Sequence, residues 1–207
     1  MRIKRSLAAI SAAVLVVLGM SSPASASSGD NQSEGLTRAE MEAEGLRLDD
    51  QAVADEVNKI LNEGGVILGV TQADYVADVS REAPGKEPGG TVSTMAYPAG
   101  CGLSVIMYRS GQSVRSSSVT SCAAPFTVGE MDNVIMFWAW LRWNVKASNT
   151  THSGGGTSFV VNTTYNCPNT NSTEWRTETY GDLWRGSTHY MAAAYDIFDD
   201  GAQACGT

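Results

Sequence analysis

The sequence predicts a mainly β fold, an antiparallel β-sandwich stapled by two disulfides and preceded by an acidic, helical N-terminal segment. Three observations predict it. Beyond residue 90 the chain reads as about six strands separated by turn signals, the pattern of a small sandwich. All four cysteines lie in that half, an even number suited to a disulfide framework in an oxidising compartment. All five tryptophans also lie there, whereas the preceding segment holds no tryptophan or cysteine and most of the negative charge.

At the N-terminus, residues 1–26 match a secretion signal. Arg2, Lys4 and Arg5 form a charged start, Leu7 to Leu18 an apolar core, and Ala24-Ser25-Ala26 a small-residue cleavage site, so the mature chain is expected to begin at Ser27. That core is shorter than the roughly 20 residues that cross a bilayer. The longest later apolar run is only Val134 to Leu141, so no transmembrane segment is expected and the protein is read as secreted and extracellular. Residues 27–36 are Ser/Gly/Asp/Asn-rich and read as disordered.

Residues 37–83 form the acidic helical segment. Thr37 and Glu40 have capping-box spacing, and Val53, Val57, Ile60 and Leu61 share one helical face. The helix is expected over 37–62, and Gly45 leaves open a split into two shorter ones. A helix of that length is marginal alone, so its apolar face is expected to dock on the sandwich or on a partner. Gly64-Gly65 ends it, and Val66 to Val70 reads as a short buried strand. Residues 84–90, rich in Pro and Gly, read as a linker to a β-domain over 91–207.

In that domain Leu103 to Tyr108 and Ser113 to Thr120 flank a turn, Arg109-Ser110-Gly111-Gln112, and form a hairpin. Val134 to Val145 is dense in β-formers and aromatics and is expected to be one long central strand buried on both faces. Thr157 to Tyr165 follows a triple-glycine loop, and Trp175 to Leu183 and Thr188 to Phe198 make a last hairpin about Trp184-Arg185-Gly186-Ser187. Of the three connectivities open to four cysteines, Cys101–Cys122 and Cys167–Cys205 are preferred, because each joins the ends of one antiparallel segment.

Charge narrows the partners. The chain carries 14 basic and 22 acidic residues, net −8. Residues 27–90 hold 14 acidic and 5 basic side chains, and residues 91–207 hold 8 and 6. Nucleic acid is not expected as a partner, since phosphate neutralisation needs clustered cations.

The arrangement Cys167 … Trp175-Arg176-Thr177 … Gly181 … Gly186 … Cys205, after the Cys101/Cys122 hairpin, resembles small disulfide-stapled exported proteins of actinobacteria. The resemblance covers about half the chain, implies a stapled β-domain and carries over no catalytic residue. Gly186-Ser187-Thr188-His189-Tyr190 is similar to the end of small microbial ribonucleases, but the arginine cluster such enzymes need around phosphate is missing.

Two histidines exist. His152 sits in a stretch that reads as a polar loop. His189 falls on a strand opposite one bearing Glu174, Glu178 and Asp182, so an acid–base pair for a hydrolase would use His189 with Glu178 or Asp182. No zinc motif and no nucleophile elbow is recognisable. Asp196, Asp199 and Asp200 before Gly201 lack EF-hand spacing and read as a turn, so no metal or other cofactor is expected. The run Phe137-Trp138-Ala139-Trp140-Leu141-Arg142-Trp143 is the most unusual feature. Strand alternation puts Trp138 and Trp140 on one face. That face reads either as inter-sheet packing or as an exposed aromatic platform that stacks on a glycan or anchors in an extracellular partner.

The leading expectation is a secreted, non-enzymatic binding or structural module. The alternatives are a secreted hydrolase using His189, and a toxin or inhibitor with residues 27–90 as its pro-segment.

Overall fold

The computed structural model describes residues 35–73, 93–94 and 97–205, and the backbone alone at 93–94, 172 and 195–204. The expected signal peptide, the stretch 27–34 and the linker 84–90 lie outside the described residues. The elements are α1 (Arg38–Ala43), α2 (Gln51–Asn62), β1 (Val66–Ala73), β2 (Ser93–Thr94), β3 (Cys101–Ser110), β4 (Ser113–Phe126), β5 (Val128–Ala139), β6 (Arg142–Ser153), β7 (Gly156–Asn166), β8 (Ser172–Arg185) and β9 (Thr188–Ala204). They build two sheets, β1-β3-β4-β7 and β2-β9-β8-β5-β6. Every described pairing is antiparallel except the two-residue contact of β2 with β9.

Gly111 and Gly186 close the two expected hairpins. Each takes the left-handed backbone (φ 57° and 61°) that a two-residue turn requires. The resulting registers are Ser110↔Ser113 and Arg185↔Thr188. The first places Cys101 opposite Cys122, where the Cα atoms are 4.0 Å apart and the disulfide forms. The second disulfide, Cys167–Cys205, is of a different kind. Cys167 follows β7 of the first sheet and Cys205 follows β9 of the second, so this bond ties the two sheets together.

Gly45, at φ 93°, breaks the expected single helix into α1 and α2. The Thr37/Glu40 capping box starts α1, and Asp50 caps α2 by accepting from the N–H groups of Ala52 and Val53. Val53, Val57 and Ile60 are buried against Ile67, Val70, Ile106, Tyr108 and Val119 of the first sheet. Leu61, expected on the same face, is instead 40% exposed, and Met41 and Leu46 complete the buried stripe. Beneath α2, Ser117 donates to the buried carboxylate of Glu56 at 2.9 Å. β1 pairs with β3 over Val66 to Ala73, so helices and first strand belong to the same compact unit, Gln32–Thr207, as the strands after residue 97.

Between the sheets the core is divided. One apolar cluster holds Leu103, Val105, Phe126, Met131, Val161 and Leu183, and another holds Met107, Val114, Ile135, Trp175 and Cys205. A polar seam of Ser116, Ser118, Asn133, Thr177 and Thr179, all fully buried, separates them. The Asn133 amide Nδ2 lies 2.7–3.2 Å from the four hydroxyls, which also pair across the sheets as Ser116–Thr177 (2.7 Å) and Ser118–Thr179 (2.6 Å). The bonded hydroxyls bury without a large desolvation cost, whereas the Asn133 Oδ1 is buried with no hydrogen-bond partner among the described residues.

Tyr97 closes the first cluster. Its hydroxyl bonds Thr120 at 2.9 Å and lies where a Cβ on Gly181 would stand, so only glycine fits there. Burial pushes its phenol well above the ordinary tyrosine value; the Thr120 bond opposes this and the Asp182 carboxylate adds to it. Burial also raises Tyr108, against the Arg115 hydrogen bond. Above pH 10 the unfolded chain releases these protons while the folded chain holds them. The stability they confer is therefore whole below pH ~10 and is lost as pH climbs toward their folded values. Absorbance titration at 295 nm is expected to show the Tyr97 and Tyr108 phenols ionising only together with unfolding. Ordinary titration of all seven tyrosines in the folded protein would contradict the buried placement of Tyr97.

Candidate functional site

The run expected as one central strand is a hairpin. β5 ends at Ala139, β6 begins at Arg142, and Ala139 pairs with Arg142 across a two-residue turn made of Trp140 and Leu141. Both turn residues have left-handed backbones, φ 57° and 60°, and they are the only described non-glycine residues that do. Such turns match the twist of paired strands but normally demand Asn or Gly. Trp-Leu carries no turn signal, which is why the sequence reads straight through it. Trp138 and Trp140 therefore do not share a strand face.

Instead Trp138 pairs with Trp143, their rings edge-to-face with centroids 5.3 Å apart, while Trp140 and Leu141 form the apex. The apex is almost bare: Trp140 is 90% and Leu141 88% exposed. Trp138 and Val145 are also exposed, whereas Phe137 turns inward toward the buried Trp175. Asn144 braces the turn, its Nδ2 donating at 2.9 Å to the carbonyls of Ala139 and Arg142. Below it, Lys146 sits at an irregularity in the β5–β6 pairing, with Nζ 4.5 Å from the centre of the Phe137 ring. From Val134 to Asn149 the hairpin carries Arg142 and Lys146 and no carboxylate, on a chain of net −8.

A residue forced into the left-handed region costs about 1–3 kcal/mol. Trp140→Asn combined with Leu141→Gly supplies the residues the turn prefers and is expected to raise the unfolding free energy by about 1–3 kcal/mol. Urea denaturation checks this, and a lower midpoint for the double variant would contradict the turn assignment.

The second candidate lies at the other end of the same sheet. The 186–187 turn sets Trp184 opposite His189, and the two rings stack at 4.3 Å and 10°. Asp182, diagonal to His189, meets its Nε2 through Oδ1 at 2.5 Å, and both side chains are largely buried. Glu178 is not part of this pair. It is buried with Arg176 (2.5 Å) and accepts from the Tyr180 hydroxyl (2.8 Å). Register explains the choice, because Glu178 stands opposite Tyr195, six positions along β9 from His189. Glu174 lies farther along β8 still. His152 is on the edge strand β6, not in a loop, and its Nδ1 lies 3.3 Å from Glu130 of β5. Its Asn/Thr/Ser-rich surroundings read as a loop because an edge strand with solvated faces has no apolar alternation to reveal it.

Among the described residues no three His, Cys, Asp or Glu side chains gather as a metal would require. Asp196, Asp199 and Asp200 fall on β9, not on a turn, and their side chains lie outside the described ones. A cleft of about 570 Å³ between the start of α2 and the Cys122 end of the first sheet is lined by Arg47, Asp50, Asp55 and Ser158. Its Arg47 pairs with Asp49 and its Asp50 caps α2, so these charges serve local structure.

Compared with known proteins, the chain matches no family model, no curated protein and no solved structure. The resemblance to exported actinobacterial proteins rests on its motif residues alone.

Proposed function

We propose that this chain is an exported, non-enzymatic binding module that meets its target with the tip of the β5–β6 hairpin. The observation that carries the reading is the tip: a tryptophan and a leucine held almost fully exposed in a backbone conformation both side chains disfavour. Such a turn costs stability that Asn or Gly would not, so its presence points to a use for the exposed side chains. Exposed apolar groups gathered at one place are the usual mark of an interaction surface. Export is supported by the N-terminal signal pattern and by two disulfides, which persist in oxidising compartments.

The test is retention on a bacterial cell-envelope preparation containing both wall and membrane. Wild type is expected to sediment with it, the Trp140→Asn/Leu141→Gly variant to remain in solution, and His189→Ala to behave as wild type. Equal retention of the tip variant and wild type rejects the reading. Intact mass of the product in culture medium checks export, a chain beginning at Ser27 with two disulfides being the expected species.

A hydrolase remains the second reading, and the Asp182–His189 contact with its stacked Trp184 is the observation in its favour. A carboxylate on one imidazole nitrogen orients the ring, an arrangement that general acid–base chemistry uses. Loss of a hydrolytic activity in His189→Ala, with the fold intact, would establish it. The pro-segment reading has a structural cost: removal of residues 27–90 would strip away α1, α2 and β1 and uncover Ile106, Tyr108 and Val119.

A further inference from the structure

We infer that the hairpin tip partitions into the interface of an anionic lipid bilayer. This rests on the tip reading above and names its target. Along the hairpin axis the side chains form layers. Trp140 and Leu141 lead, the Trp138–Trp143 indole pair follows, Arg142 flanks the apex, and Lys146 stands farther back. At about 3.3 Å per residue, Lys146 lies roughly 15 Å behind the apex, and its long side chain can reach forward from there. A bilayer interface presents the complementary order of acyl chains, a zone favouring indole, and then phosphates. Surface-bound segments bury their apolar face about 5–10 Å deep. Lys146 then stands on the aqueous side of the phosphates, and Arg142, which pairs with Ala139 ahead of the indole pair, reaches them by extending its long side chain back along the hairpin. The charge matches too: a carboxylate-free, doubly cationic tip on an acidic protein points the molecule at an anionic surface while the rest of the chain is repelled.

The tip is less suited to a sugar. Leu141 gives a hydroxylated ligand nothing, and no carboxylate lies between Val134 and Asn149 to accept from sugar hydroxyls. The Asn144 amide N–H groups are already engaged in bracing the turn. A convex two-residue apex also has no pocket wall to enclose a ring.

The experiment uses residues 32–207, the compact unit, so that the apolar stretch near the N-terminus does not itself bind lipid. Sedimentation is measured with vesicles of phosphatidylcholine alone, with vesicles containing about one third phosphatidylglycerol, and with purified insoluble peptidoglycan. Wild type is expected to bind the anionic vesicles and to be released by salt. Trp140→Asn/Leu141→Gly is expected to lower the partition coefficient at least about tenfold, with no loss of thermal stability. Arg142→Gln with Lys146→Gln is expected to lower it about fivefold per cation on anionic vesicles and to leave phosphatidylcholine binding unchanged. Wild type that ignores vesicles but is retained on peptidoglycan through Trp140 overturns the lipid inference and leaves the tip reading standing. Retention on neither surface, or retention on both that the tip variant shares, overturns the two together.

Discussion

Cys167→Ala with Cys205→Ala is expected to lower the unfolding free energy by about 4 kcal/mol, and Cys101→Ala with Cys122→Ala by about 3 kcal/mol. Part of the difference is loop length, since the bonds close segments with sequence separations of 38 and 21. The rest is position. Cys101 and Cys122 join neighbouring strands that the Gly111 turn and a continuous ladder already hold in register. Cys167–Cys205 holds the end of β7 to the end of β9, across an interface whose middle is polar, and Cys205 is itself fully buried beside Trp175. Losing it also leaves a gap in that cluster. Urea denaturation of both double variants makes the comparison, and a larger loss from the Cys101/Cys122 pair would refute this account of how the sheets are held.

Trp175→Ala is expected to cost about 3–5 kcal/mol. The ring is fully buried, with centroids 5.2 Å from Tyr165 of the first sheet and 6.2 Å from Phe137 of the second, so it spans the inter-sheet space. Its Nε1 is buried with no hydrogen-bond acceptor among the described residues. An orphaned donor carries a desolvation penalty that phenylalanine does not. Trp175→Phe is therefore expected to cost less than about 1.5 kcal/mol despite the smaller ring. Equal losses for the two variants would mean that the indole N–H has a partner after all and that the polar group, not the ring volume, holds the site.

The polar seam bears on why these two positions matter. With Ser116, Ser118, Asn133, Thr177 and Thr179 across the middle, apolar cohesion between the sheets is confined to a cluster at either end. Trp175 and the second disulfide serve the same end.

What could be read in advance followed local chemistry. Gly111 and Gly186 announce their turns because φ > 0 excludes most other residues, and those turns set the registers of β3–β4 and β8–β9. The Cys101–Cys122 bond and the Trp184–His189 stack follow from register alone, as does the nearness of Asp182 to His189. Thr37/Glu40 and Gly45 likewise mark where α1 starts and where the helical stretch breaks.

Where local chemistry is silent or misleading, the reading failed. Trp140-Leu141 has the composition of a strand and the backbone of a turn, so only the pairing of Ala139 with Arg142 reveals the apex. Asn133 lies just before the expected strand Val134 to Val145, and its partners lie 15 to 46 residues away in sequence. The part of β6 beyond Ala147 reads as a loop because it carries no apolar alternation.

By itself, then, the sequence determined the class of fold, the two disulfide pairings, the closing turns of two hairpins and the apolar face of α2. The turns and the helical face depend on φ/ψ preferences and on spacing within a few residues; the two pairings, at sequence separations of 21 and 38, rest on each cysteine pair bracketing one antiparallel segment. Only the tertiary structure decided that the sandwich core is polar at its centre and that the tryptophan run is a hairpin pointing outward. Those outcomes depend on which distant segments pair, and in a sheet one register choice moves every side chain to a new neighbour.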